Sequence, residues 1–126
     1  MELRRVVRLS LFVTAPANVV VGFGMAFPAS PVGVLLQLPA SGHPFYALMT
    51  GALVALFGVV YAVMAVSGDI NRGLLAVGAA GKGLAVIIST GLFLSGQLPL
   101  LTFALVSGDL LFVGLWASWL FKSRAG

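Results

Sequence analysis

The chain contains no cysteine, one histidine and three acidic residues, and only 8% of its 126 residues are charged. Without cysteine there is no disulfide framework, no thiolate nucleophile and no Cys metal site, and nothing points to a redox compartment. A lone His43 with no nearby carboxylate cannot close a zinc or haem site within one subunit, so it reads as an outer-loop residue beside Pro44. No His or carboxylate cluster exists for acid-base or metal chemistry, and accordingly no catalytic residue, no metal and no cofactor is assigned. Ordinary soluble domains carry roughly 25% charged residues, which places this chain outside that class. Between Leu9 and Gly68 there is no Asp, Glu, Lys or Arg at all. A soluble domain of this size would expose such a stretch as a large adhesive surface.

What is present is apolar sequence, 60% of the chain, in continuous rather than alternating runs. Continuous runs favour membrane helices over an outer-membrane barrel. Four spans are expected in a single all-α, up-and-down transmembrane bundle: residues 9–27, 45–67, 73–94 and 99–121, each near the ~20 residues needed to cross a bilayer. Pro16 falls inside the first and is expected to kink it, while Pro28 and Pro31 stop it. Ser41-Gly42-His43-Pro44 leads into the second span and Gly68-Asp69 leads out of it. In the first loop, Ser30 followed by Pro31 is an N-cap and first-turn pair, predicting a short interfacial helix over 31–38 that ends before Pro39. Asp69 is expected to cap the third span.

The net charge of +4 does not signal nucleic acid, because six of the seven basic residues sit at span ends. Arg4, Arg5, Arg8, Arg72, Lys122 and Arg124 fall on one side, whereas the 28–44 loop and the 95–99 turn hold none. Basic residues in short loops stay cytoplasmic, so both termini are expected inside, with Trp116 and Trp119 near the inner interface and Phe45 and Tyr46 near the outer one. The alternative is a cleaved signal peptide ending near Ala29, but its apolar core is longer than the ~7 to 15 residues such signals use.

Lys82 and Asp109 are each the only formal charge within a run long enough to span the membrane. A helical hairpin through Ser95-Gly96-Gln97-Leu98-Pro99 brings them to comparable depth, roughly 20 Å from the turn in a hydrocarbon layer about 30 Å thick. A charge there is costly alone, so each is the other's expected partner, and Asn18, near the centre of the first span, is expected to join Asp109. Such a trio locks helix register, or else forms a proton or substrate site; the lock is favoured. Ser89, seven residues after Lys82, and Thr102, seven before Asp109, lie on the same faces and could line a polar track, although bonds to helix backbone account for them more simply.

Small residues recur at four-residue spacing: Ala47, Gly51 and Ala55; Gly58 and Ala62; Ala79 and Gly83; Gly114 and Ser118. This pattern lets helix backbones approach closely, so Gly51, Gly58, Gly83 and Gly114 are assigned to helix packing and self-association. Gly81-Lys82-Gly83 lacks the G-x-x-x-x-G-K-[ST] pattern of a phosphate-binding loop and lies inside a span, which excludes nucleotide binding.

With Arg4-Arg5 leading to Asn18, Gly81-Lys82 in the third span, and Gly108-Asp109 followed by Leu110-Leu111-Phe112 in the fourth, the chain resembles a group of small bacterial four-helix membrane proteins of unassigned function. The resemblance implies residence in the bacterial inner membrane and no particular activity, substrate or cofactor. Small multidrug resistance transporters share the architecture but use a membrane-embedded Glu in the first helix, where this chain has only Asn18; DoxX-like proteins share size and helix number alone. Two readings follow. The first is a non-enzymatic scaffold or accessory subunit that packs with itself or within a larger membrane complex, its partners being the lipid bilayer and other membrane helices. The second is an oligomeric transporter or proton-coupled permease using Asp109 and Lys82; an intramembrane enzyme ranks below both.

Overall fold

The computed structural model describes residues 2–40 and 42–124. Ser41, expected at the entry to the second span, and the side chain of Arg124, counted above as a topology signal, lie outside what is described. The described residues are helical with no strand: α1 (Leu3–Ala26), α2 (Pro31–Leu35), α3 (Pro44–Ser67), α4 (Arg72–Leu94), α5 (Leu100–Ser107) and α6 (Asp109–Arg124). Four stretches are long and apolar enough to cross a membrane, namely α1, α3, α4 and the combined run Leu100–Ser123. Leu94 and Leu111 are more than three-quarters exposed, and Ile87 and Val66 more than two-thirds. Such side chains would be unfavourable against water, and their solvent is the hydrocarbon of a bilayer. The protein is therefore an all-α, multi-pass membrane protein.

Helix ends follow local chemistry. Ser30 Oγ accepts from the Gly33 amide at 3.2 Å, capping α2 as expected. That helix stops at Leu35, three residues earlier than expected, because Gln37 turns into the left-handed region (φ 54°) and the Leu38 amide reaches back to Gly33 O at 3.0 Å. The same closure ends α4, where Gly96 (φ 78°) takes the left-handed position and the Gln97 amide donates to Leu92 O at 2.8 Å. Asp69 does not cap α4. Asn71 does, its Oδ1 accepting from the Leu74 amide at 2.9 Å, because the helix begins at Arg72 and the cap must immediately precede it. His43 has a local role as well, its Nδ1 accepting from the Phe45 amide at 3.1 Å at the start of α3.

The chain forms two compact units, Leu11–Ser67 and the combination of Met1–Ser10 with Gly68–Gly126. Within Leu11–Ser67, α1 meets α3 through small residues. A Cβ added to Gly22 would stand 2.6 Å from Gly51 O and 2.7 Å from Ala55 N, and one added to Gly58 would stand 2.7 Å from Ala15 O. Gly51 in turn faces Gly22 O and Ala26. Here the backbones touch, which is how membrane helices gain contact when lipid is as apolar as they are. The Asn18 amide donates to Val54 O at 3.1 Å in the same interface. Gly83 and Gly114 differ: a Cβ at either meets nothing within 4 Å, so neither makes a close helix contact within this chain. Spacing alone could not separate them, since a glycine on a lipid-facing stripe has the same period as one on a packed stripe.

Replacing Gly51 with Val should force α1 and α3 apart and lower stability by about 1 to 3 kcal/mol. Gly114→Val, with open space at its Cβ, should stay within about 0.5 kcal/mol. Reversible unfolding in mixed micelles checks both, and equal effects would contradict the packing described.

Candidate functional site

The second unit is organised around α4. Its buried residues Leu75, Gly78, Ala79, Lys82, Val86 and Ser89 recur every three to four positions, forming one stripe along the helix. Lys82 lies in that stripe and is only 7% exposed. The partner run is helical from Leu100 to Ser123, with one irregular turn at Gly108. After α5 ends at Ser107, the Gly108 amide donates to Ala104 O at 3.3 Å, the Leu111 amide donates to Gly108 O at 3.2 Å, and α6 restarts at Asp109. The expected fourth span, residues 99–121, thus stands as one helical run, Leu100–Ser123, and the Gly108 backbone at its irregular turn stays in the right-handed helical region (φ −58°, ψ −24°).

Asp109 directly follows this irregular turn. Lys82 Nζ donates to Asp109 Oδ1 at 3.1 Å. The ammonium also lies 5.5 Å from the Phe112 ring centroid and 5.8 Å from that of Trp116. Asp109, Phe112 and Trp116 stand at positions i, i+3 and i+7, one face of α6, so a single stripe supplies the anion and both aromatic faces. Two π-faces within 6 Å stabilise a desolvated cation beyond what the carboxylate contributes.

Trp116 is itself held in place. It is fully buried, its Nε1–H donates to Ser10 Oγ at 2.8 Å, and the Ser10 hydroxyl donates to Val7 O at 2.6 Å. The indole thus faces protein, its N–H having a buried acceptor on α1. Trp119 is also buried and packs under Arg72, 5.6 Å from guanidinium carbon to ring centroid. Phe45 and Tyr46 are exposed and meet edge to face.

The structure thus brings Lys82 and Asp109 together. Asn18 belongs to the other unit, where its amide is engaged by Val54 O. Ser89 on α4 and Thr102 on α5 are both buried, and near the turn Phe93 and Phe103 stack with centroids 4.4 Å apart. Two open grooves are described, of about 320 and 770 Å³, and neither is lined by Lys82 or Asp109. Sequence reasoning missed two contributors to this site, Ser10 and the Phe112–Trp116 cage, and in the other unit it missed Gly22. The i, i+3, i+7 spacing from Asp109 could have revealed the cage. No protein-family model, curated protein or solved structure matches this chain.

Breaking the pair at one end should be worse than removing it. Lys82→Met alone leaves a carboxylate inside the helix pair and should cost about 3 kcal/mol or more, whereas Lys82→Met with Asp109→Leu should recover most of that loss. Unfolding free energies of the two single variants and the double variant check this, and strictly additive losses would contradict a direct interaction.

Proposed function

We propose that this protein is a non-enzymatic scaffold or accessory subunit of the bacterial inner membrane, with both termini in the cytoplasm and the Lys82–Asp109 pair serving as a register lock. The observation that carries this reading is the enclosure of the Lys82 ammonium by Asp109, Phe112 and Trp116, a geometry suited to holding a charge still. The lipid-facing stripes that carry Gly83 and Gly114 remain open for a neighbouring helix, as self-association or assembly into a larger complex requires. Orientation rests on the six-to-none split of basic residues, and the bacterial assignment on the resemblance set out above.

A second reading, a proton-coupled or substrate-coupled transporter, draws on one specific observation. The Asp109 carboxylate, beside the irregular turn at Gly108, is still 27% exposed, and acids within membrane spans commonly mark proton or substrate paths. The Lys82→Met, Asp109→Leu double variant separates the two. A lock predicts unchanged assembly and unchanged cellular phenotype, since matched apolar side chains replace a buried ion pair at little cost. Intact assembly with abolished proton flux would instead establish transport.

Orientation has its own check. A reporter fused after residue 126 should be active only on the cytoplasmic side, and activity confined to the periplasm would invert the topology.

A further inference from the structure

Arg72 is the other polar feature that the fold holds in place without using up its charge. It opens α4 beside the last turns of α6, donates to Leu120 O at 2.7 Å and to Ser123 Oγ, and lies over Trp119. Both acceptors are neutral. Among the described residues no carboxylate lies within ion-pair distance of this guanidinium, which has five N–H donors. The side chain is thereby oriented, at the end of two membrane spans, with its charge uncompensated.

From that guanidinium a groove of about 320 Å³ runs along Gly73, Ala76, Leu120 and Phe121. Gly73 and Ala76 leave the room, and Leu120 and Phe121 supply an apolar wall. Other cations of the same unit gather at this end. Arg4 donates to Gly68 O at 2.6 Å, and the Arg8 guanidinium stands beside Gly68. Gly68 is four residues before Arg72, so the connecting backbone spans at most roughly 14 Å. By sequence, the segments 2–8, 68–72 and 120–122 carry Arg4, Arg5, Arg8, Arg72 and Lys122 against the acids Glu2 and Asp69.

A cationic head position continuous with an apolar trough at a span end is complementary to a molecule with an anionic head and a hydrocarbon tail. We propose that Arg72 and this groove form a binding site for an anionic phospholipid, the phosphate on the guanidinium and an acyl chain along Gly73 and Ala76. Basic pockets between membrane helices bind anionic headgroups in this way, each Arg near the surface contributing measurably. A zwitterionic lipid gains less, because its own cation repels the uncompensated guanidinium. A free phosphate gains less too, because it leaves the trough empty. The site serves a scaffold and a transporter equally and depends on neither.

The test uses the full chain, delipidated in neutral detergent and exposed to equimolar phosphatidylglycerol and phosphatidylcholine, with retained lipid measured by native mass spectrometry. Phosphatidylglycerol should be retained about fivefold or more over phosphatidylcholine, a preference that shrinks with added salt. Ala76→Trp fills the groove and leaves Arg72 intact; it should abolish that excess while the lipid-free melting temperature is unchanged. Arg72→Gln should remove selectivity and keep residual retention. Millimolar inorganic phosphate or glycerol phosphate should not displace the lipid. Equal retention of the two lipids by the unaltered protein, full selectivity in Ala76→Trp, or displacement by either free phosphate would each overturn the proposal.

Discussion

A lysine buried in a helix pair must be met by an opposite charge, and that constraint organises the unit built on α4, α5 and α6. Lys82 and Asp109 meet at 3.1 Å, and the meeting dictates much else. It sets the axial register of α4 against α6, since a slip of one turn, ~5.4 Å, would leave both groups unpaired. It also accounts for the aromatic stripe. Phe112 and Trp116 follow Asp109 on one helix face and cover the ammonium that the carboxylate has drawn in. Trp116 passes the constraint on to Ser10 and so to the first turns of α1.

The unit Leu11–Ser67 meets the membrane differently. Having no formal charge, it relies on backbone proximity at Gly22, Gly51 and Gly58 and on one amide, Asn18, bonded to a main-chain carbonyl. Each device answers the same difficulty, that lipid tails remove the hydrophobic drive for helices to associate and leave only packing and polar contacts. Placing the charges in one unit and the touching glycines in the other gives each its own source of specificity.

The four spans were legible because their signal is composition over about twenty residues, which tertiary context cannot override. The α2 cap was legible because Ser30-Pro31 acts locally. The Lys82–Asp109 pair could be read because two charges in otherwise uncharged spans have few other partners. The irregular turn at Gly108 was harder, since a glycine in a span also reads as a packing residue. Gly83 and Gly114 share the period of Gly51 and Gly58 but face open space, a distinction set by which stripe meets a neighbour. The burial of Trp116 was not legible, because it depends on a serine 106 residues away. Asp69 lost the cap to Asn71 because the helix starts at Arg72, a boundary that sequence patterns do not resolve.

Function follows from whether the paired charges are sealed or exchangeable. The chain has two lysines, Lys82 and Lys122, so selective 15N-lysine labelling yields two side-chain ammonium signals. If Lys82 is enclosed by Asp109, Phe112 and Trp116, its ammonium protons should exchange slowly with water and its resonances should carry ring-current shifts that vanish in Trp116→Leu, while Lys122 exchanges freely. Two signals exchanging at the same fast rate, with no response to Trp116, would contradict the lock.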